Sequence, residues 1–116
     1  MKVSFDLDGT AWKHRAIFIA LANALQLDGH DVGVLTAHSE ELRAADLRLW
    51  AARGFPEPDF FYNAEDMRQA GVVGLADMRA TKIAFARRAG ITCHFDDFDD
   101  FHPDEIEFVV ITDAGG

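Results

Sequence analysis

The chain has 116 residues, 49% of them hydrophobic with ten Phe, and a formal net charge of −9 from 11 Lys+Arg against 20 Asp+Glu. That length suits one domain spanning 1–116, and the apolar content is enough to bury a core, which excludes wholesale disorder. The acidity argues against a basic nucleic-acid surface, and the single cysteine, Cys93, excludes a disulfide framework and any CxxC zinc or redox motif. The charge is unevenly spread. Met1 to Cys93 hold 12 acids and 11 bases, whereas His94 to Gly116 hold eight acids and no Lys or Arg.

Short apolar runs alternate with longer helical patterns, which predicts an α/β fold around a parallel sheet. Met1 and Lys2 lead directly into Val3–Phe5, a short buried strand, without a charged-then-apolar leader. From His14 to Asp28, Ile17, Leu21 and Leu25 recur with Phe18 and Ala22 at helical spacing, and Gly29 supplies a stop. This apolar stretch is too short to span a bilayer and contains Asn23 and Gln26, so a cytoplasmic protein without membrane contact is expected.

Val32–Leu35 reads as the second strand. Ser39 then serves as N-cap for a helix through Arg53, with Leu42, Leu49 and Trp50 inward and Gly54 at its end. Asp59–Tyr62 is a third strand between Pro58 and an interval, Asn63 to Asp77, that carries no clear pattern. A helix over Met78–Ala89 closed by Gly90, a strand over Thr92–Phe95 and a strand over Glu107–Thr112 complete the set. There is no internal repeat, low-complexity linker or domain boundary.

In a parallel α/β sheet, polar residues that follow strands collect along one edge. Here these are Asp6 and Asp8 after the first strand, Thr36 after the second, and Asp96 and Asp97 after the fourth, with Lys82 on the preceding helix. Two unit charges about 4 Å apart repel by roughly 4 kcal/mol at an effective dielectric near 20, so such a group of carboxylates needs a cation, a proton or separation. Oxygen donors without a Cys or His cluster favour a hard ion such as Mg²⁺ over Zn²⁺. Lys82 and the Thr36 hydroxyl suit a phosphate, and Gly9 is placed to allow a turn after Asp6.

Phe5-Asp6-Leu7-Asp8-Gly9-Thr10 matches the hhDxDGT signature of the haloacid dehalogenase-like (HAD) superfamily. Val32-Gly33-Val34-Leu35-Thr36 resembles its second motif, Lys82 ahead of Gly90-Ile91 its third, and Cys93-His94-Phe95-Asp96-Asp97 its fourth. The four occur in the family's order and span Phe5 to Asp97. The resemblance implies a Rossmann-like three-layer sandwich with a parallel sheet of about five strands in the order 3-2-1-4-5. It also implies a Mg²⁺-dependent phosphomonoester hydrolase.

By that resemblance Asp6 is the nucleophile that accepts the phosphoryl group, and Asp8 is the general acid and then base. Thr36 and Lys82 hold the phosphate oxygens. Mg²⁺ is bound by the Asp6 side chain, the Asp8 main-chain carbonyl and an acid of the fourth motif. Asp97 is the choice for that acid, with Asp96 and Asp100 as alternatives and Asp96 otherwise orienting Lys82. Ionised Asp6, Asp96 and Asp97 with Lys82 and the divalent ion sum to a neutral site that a dianionic phosphate can enter.

The chain departs from the family pattern in three places. Ala11 stands where a larger aliphatic residue often follows, and the few residues before the first helix leave no room for a cap domain. In addition, the fourth-motif spacing reaches Asp100 from Asp96 but Phe101 from Asp97.

A receiver domain of phosphotransfer signalling would need its acidic pair after the first strand and its Lys late, and the order here is the reverse. A calcium loop needs Gly at its sixth position, whereas Asp6-Leu7-Asp8-Gly9 has it at the fourth. The remaining rival is a silent member that binds phosphate or metal, or serves as an interaction module, without turnover. His38, His14 and His102 are secondary candidates near a leaving group. Trp12 either stacks on a substrate ring or packs over the helix start.

An uncapped site is open to large substrates or to closure by a second subunit. Nucleotides, sugar phosphates and phosphoproteins remain as substrates. The acidic run Asp99 to Glu107 is expected to form a solvated rim that repels long nucleic acid.

Overall fold

The coordinates are those of a computed structural model, which describes residues 1–98 and 105–111. Among these, five strands form one sheet in the order β3-β2-β1-β4-β5. They are β1 (Lys2–Phe5), β2 (Asp31–Leu35), β3 (Phe61–Tyr62), β4 (Cys93–Asp96) and β5 (Glu107–Val110). The helices are α1 (Arg15–Leu27), α2 (Arg43–Ala52), α3 (Ala64–Gln69) and α4 (Met78–Ala89). The radius of gyration, 13.4 Å, is that of a compact fold.

The strand order agrees with the expectation, but the sheet is not wholly parallel. β1 pairs in parallel with β2 and β4, and β2 with β3, whereas β5 runs antiparallel to β4 with Asp96 opposite Glu107 and Cys93 opposite Val110. Only residues 97–106 join β4 to β5, and a parallel crossover needs a dozen residues or more. β5 is also an edge strand, with Phe108 and Val110 exposed.

Period-2 alternation divides the core. Val3 and Phe5 of β1, Val32 and Val34 of β2 and Cys93 of β4 form one cluster with Phe18 and Ala22 of α1 and Trp50 of α2. Leu35, Val72 and Ile91 form a second with Met67 of α3 and Phe85 and Ala86 of α4. Phe5 meets Phe18 and Phe95 edge to face, at centroid distances of 4.8 and 5.6 Å. Ser4 points the other way and lies opposite His94 in register. The same alternation carries Asp6 and Asp96 to that polar side.

The helices differ from expectation in their inward faces. In α1 the buried positions are Phe18 and Ala22, with Ile19, Leu21 and Leu25 against the core, while Ile17 is 67% exposed. At 3.6 residues per turn Ile17 is rotated about 100° from Phe18, to the outer edge of the inward arc that Phe18, Ala22 and Leu25 centre. The predicted second helix begins as a 3-10 turn over Glu40–Leu42, and the Ser39 side chain makes no capping bond. Leu42 and Leu49 are exposed, so the inward stripe of α2 is Trp50 and, one turn earlier, the buried Asp46.

Regular pairing in β3 covers only Phe61–Tyr62. At Asp59 the backbone N–H donates to Val32 O, while its carboxylate accepts from the Val32 N–H at 2.8 Å. A Cβ on Gly33 would lie 2.1 Å from Phe60 O, so glycine sets how closely this edge approaches β2.

The patternless interval contains α3, started by a capping box. Asn63 Oδ1 accepts from the Glu65 and Asp66 N–H groups, and Asp66 Oδ2 accepts from the Asn63 N–H. Arg43 ties this turn to the sheet by donating to Phe61 O at 3.0 Å and to Asp66 Oδ2 at 2.7 Å. No helix among the described residues is long and apolar enough to cross a membrane. Thr112, the predicted end of the last strand, lies outside the described residues, as do Asp100 and His102.

Candidate active site

A cleft of about 520 Å³ opens where β1, β2 and β4 end, and Asp6, Asp8, Thr36, Lys82, Asp96 and Asp97 all line it. β1 delivers Asp6, whose N–H still donates to Phe95 O of β4 at 3.0 Å. The chain then turns sharply. Ala11 N–H donates to Asp6 O and Trp12 N–H to Leu7 O, with Gly9 at φ 74° between them. A Cβ on Gly9 would lie 1.8 Å from Asp97 Oδ2, so this glycine provides both the left-handed turn and the space that Asp97 occupies. Thr10 is buried and its hydroxyl donates to Asp97 Oδ1 at 3.4 Å.

Lys82 is the buried cation of the site. Its Nζ, carried in by α4, is 2.6 Å from Asp96 Oδ2 and 3.1 Å from Asp6 Oδ1, and the side chain is 3% exposed. Asp77 caps α4 by accepting from the Ala80 N–H at 2.7 Å, which fixes the start of the helix one turn before Lys82.

Asp96 Oδ2 also faces His94 Nε2 at 2.8 Å, and His94 Nδ1 is 2.7 Å from Ser4 Oγ. With Asp96 ionised, Nε2 carries the proton and Nδ1 accepts from the serine hydroxyl. Burial, with the Lys82 charge, pushes His94 down to about 3, so its imidazole is neutral at pH 7.

The acids respond to burial in the opposite direction. Burial pushes the Asp6 carboxyl up to about 7 against the attraction of Lys82, and the Asp96 charge adds to the rise. Asp96 is likewise raised by burial, with Lys82 opposing.

Asp6, Asp96 and Asp97 each present an oxygen within 4.8 Å of the others. Burial of Asp6 and Asp96, which Lys82 only partly offsets, raises both carboxyls, and the Asp96 charge adds to the rise at Asp6. The all-oxygen donor set fits a hard divalent cation, since opposite ligands around Mg²⁺ at about 2.1 Å each lie roughly 4.2 Å apart.

Asp8 stands apart from this trio. Its side chain is 74% exposed and its Oδ2 lies 2.7 Å from His38 Nε2. Thr36 is buried and its Oγ1 accepts from the His38 N–H at 3.2 Å. Burial alone would lower His38, but hydrogen bonds to Asp8 and Asp46 on its two ring nitrogens raise it above its ordinary value.

The other candidates fall elsewhere. His14 is not in the cleft lining, and its Nε2 is buried without a hydrogen-bond partner among the described residues. Trp12 packs on Trp50 and Phe55, with the Arg53 guanidinium 4.7 Å from its ring centroid. Cys93 is a buried free thiol. Glu107, expected on a solvated acidic face, is paired with Arg79 at the cleft at 2.5 Å.

Three polar residues escaped the sequence reading: Ser4, His94 and Asp46. The first two were within reach, because Ser4 and His94 stand two residues before Asp6 and Asp96 and so share their faces of the strands. Asp46 carried no such signal. Comparison with family models, curated proteins and solved structures gives no match to this chain.

Proposed function

We propose that the protein is a Mg²⁺-dependent phosphomonoester hydrolase of the haloacid dehalogenase-like superfamily, a capless member with a Rossmann-like three-layer fold. The observation that carries this reading is the meeting of Asp6 with Lys82 at 3.1 Å in a cleft also lined by Asp8, Thr36 and Asp97. Those are the residues through which the four sequence motifs bear on a phosphate. The two apolar clusters, with α1 and α2 in one and α3 and α4 in the other, support the layered architecture.

In the proposed reaction a carboxylate oxygen of Asp6 attacks phosphorus, and the bond from phosphorus to the substrate's bridging oxygen breaks. Asp8 gives its proton to that leaving oxygen. Asp8, now a carboxylate, takes a proton from water as the water attacks phosphorus, and the bond to Asp6 breaks to release phosphate. Lys82 and the Thr36 hydroxyl bind the non-bridging oxygens, and Asp96 and His94 hold Lys82 in place.

Asp6, Asp97 and the Asp8 main-chain carbonyl would hold Mg²⁺, with Asp96 committed to Lys82. The ion supplies charge neutralisation for the incoming phosphate and favours ionised Asp6. Substrates are nucleotides, sugar phosphates or phosphoproteins rather than long nucleic acid. Purified protein is expected to hydrolyse an aryl phosphate with Mg²⁺ and to lose that activity with EDTA or Asp6→Asn. Inactivity across a broad phosphate panel, together with no Mg²⁺-dependent beryllofluoride binding, would establish the silent binding module instead.

A further inference from the structure

The proposed acid, Asp8, is far more exposed than the buried carboxylates Asp6 and Asp96 of the same cleft. Its side chain is 74% exposed, against 11% for Asp6 and 4% for Asp96. An exposed Asp exchanges among staggered rotamers, and proton transfer needs one of them. The group that faces it is itself firmly held. His38 donates its backbone N–H to Thr36 Oγ1 at 3.2 Å, and its carbonyl accepts from the Ala64 N–H at 3.0 Å. Its ring spans two acids, with Nε2 2.7 Å from Asp8 Oδ2 and Nδ1 2.8 Å from Asp46 Oδ2. Asp46 is buried on the inward stripe of α2, a position that an apolar residue would otherwise fill beside Trp50. A buried acid there is costly unless it is hydrogen-bonded, and His38 is its partner among the described residues.

From this chain of contacts we infer that His38, anchored by Asp46, is a positioning residue that fixes the Asp8 carboxyl over the cleft. One Asp8 oxygen is engaged and the other remains for the proton transfer. The inference rests on the phosphatase reading and adds to it the device that orients the acid. It has a specific kinetic signature. A leaving group that departs as a stable anion needs little protonation, whereas an alkoxide needs a proton in the transition state, so the contribution of His38 depends on the leaving group.

The test compares wild type with His38→Ala, His38→Gln, Asp46→Ala and the double variant His38→Ala/Asp46→Ala, on para-nitrophenyl phosphate and glycerol phosphate with Mg²⁺. For glycerol phosphate, His38→Ala is expected to lower kcat by about 10²-fold with KM unchanged, the scale of loss when a reacting group is misplaced. The aryl ester should be little affected. His38→Gln, whose amide can still donate to Asp8, should recover part of the loss. The double variant should be no worse than His38→Ala, because Asp46 acts through His38.

Equal losses on both substrates, or additive effects of the two residues, overturn the inference and leave the phosphatase assignment standing. A wild type inactive on both esters and across a broad phosphate panel, without Mg²⁺-dependent beryllofluoride binding, overturns both. One measurement needs no variant: three-bond NMR couplings in wild type should report a single Asp8 χ1 rotamer, and averaged couplings overturn the inference.

Discussion

Asp6 and Gly9 show how much of the site is decided by single atoms. Burial, opposed by the Lys82 charge, holds the Asp6 pKa at about 7 in the folded chain, above the ordinary 3.8. A carboxyl raised on folding contributes stability that is complete below 3.8 and is lost as pH rises through about 7. Without metal, the melting temperature is therefore expected to fall across that interval. Asp6→Asn should flatten the fall and melt higher than wild type above pH 7, by on the order of 2–4 kcal/mol in metal-free buffer. Lys82 keeps Asp96 as its partner in that variant. Thermal melts of both proteins across pH in EDTA check the sign, and a less stable Asp6→Asn above pH 7 would contradict it.

Gly9→Ala has the opposite effect. It places a left-handed Ala at a cost of about 1–2 kcal/mol and drives a methyl into the Asp97 carboxylate. Reduced stability is expected and, at the proposed metal site, weakened Mg²⁺ binding, both read by calorimetry.

At the level of elements, the sequence was most legible where period and punctuation agreed. Met78–Ala89 was closed by Gly90 in the sequence, and α4 has those bounds, with Asp77 as the cap that the structure adds. Strand order followed from the family resemblance, and the polar residues placed after strands do meet at one cleft.

Three features were not legible. α3 is six residues long, too short for apolar periodicity to show, and its signal was local: Asn63 followed three residues later by Asp66. The inward Asp46 was hidden because a stripe reading assigns the core to apolar residues, and Leu42 and Leu49 drew the stripe to the wrong side. β5 was placed in the sheet but not in its direction, since hydrophobic runs do not encode polarity and only the short connection does. Asn63→Ala removes the capping box and the bond to Glu40 Oε2 at 2.6 Å. A loss of about 1–2 kcal/mol in denaturant unfolding is expected.

For the whole molecule, the acidity concentrated after Cys93 takes on a narrower meaning. Asp96 is spoken for by Lys82 and His94, Asp97 lies against the Gly9 turn, and Glu107 is matched by Arg79. In the proposed enzyme the cation that completes this balance competes with protons for Asp6. Mg²⁺ affinity should therefore rise as pH increases through about 7 and bind with proton release, measured by titration calorimetry in buffers of different ionisation enthalpy. Affinity independent of pH would contradict the assignment of Asp6 to the ion.

The central claim, phosphoryl transfer through Asp6, is tested most directly by trapping. Enzyme quenched in acid during turnover of a labelled phosphomonoester and reduced with borohydride should yield homoserine at position 6, found by peptide mass spectrometry and absent from Asp6→Asn. Turnover with an unmodified Asp6, or with homoserine at any other acid, would contradict the account.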